Sequence, residues 1–150
     1  MRTLVILALV APLTLATPAR ADVGLGLFVG EPTGLDLKLG VAPRSAIDLL
    51  FGFDTIRDGR VLYGHVTYLA TLVVGHGSSV LVPLRLGIGA ALYGNNRNND
   101  VNFAVRAPLE LGFRFRSAPV ELYLEVSAIL QLVHGTDLGL DGGVGFRIYF

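Results

Sequence analysis

The sequence has no cysteine among its 150 residues. That excludes a disulfide scaffold, a zinc–thiolate site, a thiol nucleophile and a lipidated-cysteine anchor. It has no net charge, with 12 basic and 12 acidic side chains, so nothing electrostatic argues for nucleic acid as a partner. Charge is sparse as well: 16% of residues carry one and 52% are hydrophobic, which excludes a disordered chain. The 19 glycines follow no collagen period. Long apolar runs are scarce. Outside the N-terminus none suits a membrane helix, which needs about 20 residues. A mean hydropathy of +0.60 without such helices leaves either a dense soluble core or a barrel in lipid, in a chain too short for two ordinary domains.

Residues 1–21 read as a secretory signal peptide. Arg2 supplies the positive start, Leu4 to Leu15 the apolar stretch, and Ala19-Arg20-Ala21 the small residues of a peptidase site. The stretch is too short for a spanning anchor. Cleavage there makes Asp22 the first mature residue and leaves residues 22–150 as one barrel domain.

From Asp22 onward the pattern has period two, the signature of strands. Eight are expected: Val23–Val29, Gly34–Val41, Ala46–Phe53, Val61–Leu72, Val80–Tyr93, Phe103–Phe115, Val120–Leu130 and Asp141–Phe150. Turn-forming segments rich in Gly, Pro, Ser and Asn separate them. One face of each strand is nearly pure hydrocarbon; in the seventh it is Val120, Leu122, Leu124, Val126, Ala128 and Leu130. The opposite face carries many of the glycines and the charges: Asp36, Lys38, Asp48, Arg85, Arg106, Glu110, Arg114, Glu121, Glu125, Asp141 and Arg147.

Volume decides which face is inside. Roughly forty apolar side chains share the hydrocarbon face, whereas on the order of a dozen fill an eight-stranded interior. The glycine-and-charge face fits there, so the apolar face is expected outward, against lipid. A soluble two-sheet sandwich would leave the glycines weakening strand interiors on its outer faces. The expected fold is therefore all-β, an eight-stranded antiparallel up-and-down transmembrane β-barrel. An even strand number puts both termini on the periplasmic side. Phe51, Phe53 and Phe103 then fall near the outer interface, and Phe113, Phe115, Phe146 and Phe150 near the inner one.

The near-balance of lumen charges favours mutual pairing over a selective pore, which uses rings of one sign. Turn lengths set the registers. A tight turn at Arg116–Pro119 puts Glu110 beside Glu125, Arg114 beside Glu121, and Tyr123 beside Gly112, as aromatic cover of a glycine. The preceding hairpin puts Arg85 beside Glu110, and the last hairpin is expected to bring Arg147 to Glu125. The resulting row is Arg85–Glu110–Glu125–Arg147, each carboxylate flanked by an arginine. Other candidate chemistry is thin. His65 shares the lumen face with Tyr63 and Thr67 and reads as a satisfied polar residue. His76 falls in a turn and His134 in a loop, without zinc-cluster spacing. No calcium-loop pattern surrounds Asp137 and Asp141. No cofactor or metal is implied.

Several segments carry a family likeness: Gly30-Glu31-Pro32-Thr33-Gly34-Leu35, Arg106-Ala107-Pro108-Leu109-Glu110-Leu111-Gly112, the run from Ala118 to Val126, and the closing run from Asp141 to Phe150. In these the chain resembles the small eight-stranded outer-membrane β-barrels of the OmpA/OmpX-like group, and more narrowly a bacterial outer-membrane β-barrel domain family. The resemblance implies insertion in outer-membrane lipid. It also implies delivery to the barrel-assembly machinery through a last strand ending in outward Phe146, Ile148 and Phe150. The expected function is a non-enzymatic, monomeric integral outer-membrane protein with an ion-paired lumen and a structural or surface-interaction role. Two alternatives stand beside it. One is a lipid-modifying hydrolase of the lipopolysaccharide-deacylase type, which needs a Ser–His pair at the outer rim, whereas Ser127 lies deep on the lumen face and His134 in a loop. The other is a soluble barrel for a small apolar ligand, which needs an apolar lumen.

Overall fold

The structure is a computed structural model that describes residues 22–54, 61–95, 100–133 and 135–150. The leader expected over residues 1–21 lies outside these residues, as do His134 and the loop segments 55–60 and 96–99. The described chain is all-β. Its strands are β1 (Val23–Glu31), β2 (Thr33–Ala42), β3 (Ser45–Asp54), β4 (Val61–His76), β5 (Val80–Asn95), β6 (Asp100–Phe115), β7 (Val120–Gln131) and β8 (Asp137–Tyr149). Each pairs antiparallel with its chain neighbour. β1 also pairs with β8, so the sheet closes into an up-and-down barrel with no free edge.

Period two in the sequence becomes inside and outside in the barrel. Along β7, Glu121, Tyr123, Glu125, Ser127 and Ile129 are buried, while Leu122, Leu124 and Val126 are exposed. β6 does the same, with Asn102, Ala104, Arg106 and Glu110 buried and Val101, Phe103 and Leu109 exposed. A one-residue slip in either strand would exchange the two faces, so register is strongly specified. It is broken by bulges between Gly40 and Ala42 and between Thr71 and Val73. The second bulge turns both Leu72 and Val73 outward. Both lie toward the mouth that carries the termini, where bulges at a barrel rim re-aim the chain. There Phe150 N–H donates to the Val23 carbonyl, Tyr149 N–H to that of Pro119 and Thr71 N–H to that of Arg44. The wall is uneven: β1 has 9 residues, while β4, β5 and β6 have 16 each.

The last strand departs from expectation. β8 begins at Asp137, not Asp141, because Leu138 and Leu140 continue the outward alternation and pair with Leu130 and Ala128. The hairpin is therefore shorter, and the pairing moves by four residues. Arg147 opposes Glu121, and Glu125 opposes Gly143.

Inside, aromatic rings share the lumen with the charges. Tyr123 stacks on Phe28 with centroids 5.8 Å apart, and Tyr63 stacks on Tyr93 at 6.3 Å. Tyr123 does oppose Gly112 in register, but its ring does not cover that glycine. It lies over Gly145 of β8, where a Cβ would come within 2.0 Å of Tyr123 Cζ. The space over Gly112 is occupied by Arg85, Pro83 and Glu121 instead. Gly145→Val should therefore displace the ring and destabilise the barrel by about 3 kcal/mol, the upper range of overpacking. Gly64→Ala, whose nearest neighbours would be ordinary contacts at 3.6 and 3.9 Å, should change stability by less than about 0.5 kcal/mol. Urea unfolding of the two variants checks the contrast.

Candidate functional site

The charged lumen is built around Arg147. Its register partners Gly26 on β1 and Glu121 on β7 leave it pointing into the centre of the barrel. Four carboxylates from four strands meet its guanidinium. Nε donates to Asp36 Oδ2 at 2.5 Å, Nη2 to Asp48 Oδ1 at 2.8 Å, and Nη1 to Glu110 Oε2 at 2.9 Å and Glu121 Oε1 at 3.3 Å. The Tyr123 ring covers one face of the guanidinium at 3.7 Å, and its hydroxyl donates to Asp36 Oδ2 at 2.5 Å. Such a planar fork suits several carboxylates at once, which an ammonium could not match.

A second layer lies toward the mouth with the termini. Arg85 donates from Nη1 to Glu110 and, at 3.0 Å, to Glu121 Oε1, and from Nη2 to Glu121 Oε2 at 2.8 Å. Lys38 Nζ stands 3.5 Å from Glu110 Oε1 and 3.6 Å from Glu121 Oε1. Tyr149 donates its hydroxyl to Glu121 Oε1 at 3.1 Å. On the other side of Arg147, Arg106 pairs with Glu125 and donates to Thr67 Oγ1 at 3.0 Å and His65 Nε2 at 2.6 Å. A guanidinium only donates, so Nε2 accepts and the imidazole proton sits on Nδ1, facing Tyr63 Oη at 3.3 Å. Asp48 Oδ2, 3.3 Å from the same Nε2, is then a neighbour and not a hydrogen-bond partner.

Most of the charged residues singled out in the sequence converge in this network, with three adjustments. Arg85 and Glu110 do face each other, and Glu110 faces Glu125. The two carboxylates part company, however: Glu110 goes to Arg85, Arg147 and Lys38, and Glu125 to Arg106. The expected Arg147–Glu125 link is replaced by Arg147–Glu121, because β8 is registered four residues away. Arg114 opposes Glu121 in register, yet its side chain turns to the mouth and grips Asp22 with both Nη atoms at 2.5 and 2.8 Å. Asp141 is buried toward the opposite mouth, across from Ser127. The sequence reading left out Asp54, which is buried at the end of β3. Its signal was present, since it continues the alternation of Asp48, Leu50 and Gly52. It also left out Asp22 and the hydroxyls of Tyr63, Tyr123 and Tyr149.

Chemically, the arrangement fixes charge in place. His65 Nε2 is taken up by Arg106, and Ser127 Oγ reaches the Ala128 carbonyl at 3.4 Å. No Ser–His contact joins these two. Among the described residues no group of three or more His, Asp or Glu side chains is placed to hold a metal ion. Comparison with family models, with curated proteins and with solved structures gives no match.

Arg147→Met should leave four carboxylates facing one another and cost about 3–5 kcal/mol, the price of an uncompensated buried charge. Arg114→Gln breaks a pair whose side chains are 31% and 45% exposed, and should cost about 1 kcal/mol or less. Equal effects of the two variants in urea unfolding would contradict the central role of Arg147.

Proposed function

We propose that the protein is an integral outer-membrane β-barrel of the small OmpA/OmpX-like kind, non-enzymatic and monomeric, with a filled lumen and a structural or surface-interaction role. The observation that carries this reading is the inverted distribution of polarity. Arg147, Glu110 and Glu121 have no exposed surface at all, while Leu27, Ile88 and Val126 are each more than half exposed. Such outward residues recur on all eight strands and make one continuous band. A soluble monomer rarely exposes apolar patches beyond a few hundred Å². Hydrocarbon outside and paired charge within is the pattern of a barrel whose solvent is lipid.

Strand length supports the same reading. Crossing takes about 9–11 tilted residues, and the shortest strand, β1, has 9. In this setting the leader directs export, Asp22 becomes the N-terminus, and the mouth with the termini faces the periplasm. The outward Phe146, Ile148 and Phe150 present the alternation that assembly machinery reads. The interior argues against conduction, because Arg85, Arg106 and Arg147 are paired with carboxylates and Arg147 reaches across the lumen to β2, β3 and β6. A ring of one sign would be needed to select ions.

The test is expression with fractionation. The chain should run in the outer-membrane fraction as a heat-modifiable band, and planar-bilayer recording of the purified barrel should give little or no steady current. Recovery as a detergent-free soluble monomer would overturn the reading, and a large stable conductance would overturn the filled lumen.

A further inference from the structure

Beyond the charge layer the lumen widens into a cavity of about 690 Å³ at the mouth that carries both termini. Lys38 and Arg85 reach it from the charge layer. Tyr149, Arg114 and Asp22 stand along its wall, and Arg44 lies at its rim. Four cationic side chains thus line it against one carboxylate. The balanced charge of the whole lumen conceals this, because the layers are ordered. Glu110 and Glu121, which hold Lys38 and Arg85 from behind, are fully buried and do not line the cavity. Lys38 and Arg85 are themselves 5% and 6% exposed, so an entering solute meets the small part of each that faces the cavity, with Arg114 and Arg44 nearer the opening. Cationic groups backed by low-dielectric walls concentrate anions.

Lys38 is the group with donors to spare. It is the chain's single lysine; every other basic residue is arginine. The guanidinium of Arg85 is occupied by two carboxylates, and that of Arg114 is gripped by Asp22 and lies over the Tyr149 ring at 4.1 Å. The Lys38 ammonium has three donors and only long contacts to carboxylates, 3.5 Å to Glu110 and 3.6 Å to Glu121. The volume falls within the range of small-molecule sites, about 300–1,000 Å³. With Arg147 and Glu110 fully buried above it, the cavity is blind, so a ligand enters and leaves by the same mouth.

We propose that this vestibule binds a small soluble oxyanion, a carboxylate or a phosphate, with the Lys38 ammonium as its direct contact and Arg85 and Arg44 supplying the attracting field. The site lies inside the barrel and does not depend on what surrounds the outer face, so it stands or falls separately from the membrane assignment.

The single lysine makes the test specific. Residues 22–150, labelled only at lysine with ¹³C and ¹⁵N, are folded in a phosphate-free nonionic detergent and titrated with inorganic phosphate and with glutarate. Folding is verified independently by gel migration. The expected result is a saturable shift of the one lysine resonance that chloride at equal ionic strength does not reproduce. Lys38→Gln, followed through the amides of Gly40, Thr71 and Leu81, should bind about tenfold more weakly or worse, while Lys38→Arg should retain binding within a few-fold. A shift that fails to saturate, a shift that chloride reproduces, or full affinity in a folded Lys38→Gln variant would overturn the proposal. Lysophosphatidylglycerol serves as the lipid arm: a response to it alone, with none to phosphate or glutarate, would also overturn the soluble ligand. Should Lys38→Gln fail to fold, the wild-type lysine titration decides by itself.

Discussion

One guanidinium holds the inside of this barrel together. Arg147 reaches from β8 to carboxylates on β2, β3, β6 and β7, and the rest of the interior is arranged to make that possible. Gly26 opposite it lets the β1 backbone close on β8, and Gly145 two residues before it leaves room for the Tyr123 ring. Tyr123 covers its face and ties down Asp36. Arg85 and Lys38 take the remaining charge of Glu110 and Glu121, and Arg106 takes Glu125. A buried ion pair is not a strong source of net stability, since desolvation offsets most of the attraction. Its consequence here is specificity: once one member is placed, each other member has one tolerable position, and a strand slipped by a residue would turn its charges to the apolar outer face.

The filling is asymmetric along the axis. Toward the mouth opposite the termini Phe28, Leu50, Tyr63, Tyr93 and Ile129 pack together beside the buried Asp54, Asn102 and Asp141. Toward the termini the lumen opens into the cationic vestibule. Among the described residues the lumen is thus packed toward one end and hollow toward the other, and this follows from which residues stand at the inward positions. Where the inward positions read Phe, Leu and Tyr the lumen is packed. Where they read Gly40, Ala46, Pro83 and Thr71, side chains are short, and volume remains.

Much of this was legible in the sequence, and the failures have physical causes. Strand number, strand positions and the partition of residues between faces follow from period two, because in a closed barrel successive side chains point inward and outward in turn. The Arg85–Glu110 and Glu110–Glu125 neighbours were readable because their hairpins close at recognisable turn residues. The last hairpin was not, because Leu138 and Leu140 extend β8 into a stretch whose Gly and Asp content reads as loop. Register names neighbours on the wall, but not which side chain crosses the lumen. Arg114 has Glu121 beside it on the wall and yet reaches Asp22, and Tyr123 has Gly112 beside it and yet covers Gly145. A long side chain in a narrow barrel can reach several strands, and only the three-dimensional packing chooses among them.

The central claim is that the hydrocarbon face meets lipid while the charges meet one another. Absence of native cysteine lets a single nitroxide report each position. Leu86→Cys, Leu109→Cys and Leu124→Cys on the outward face, with Ser117→Cys at a turn for comparison, can be labelled and reconstituted in phospholipid vesicles. Collision with dissolved oxygen and with a water-soluble nickel chelate is then measured. The account predicts high oxygen and low nickel accessibility at the three leucine positions and the reverse at Ser117. Free access of nickel to Leu86, Leu109 and Leu124, or exclusion of both reagents from all three, would contradict it.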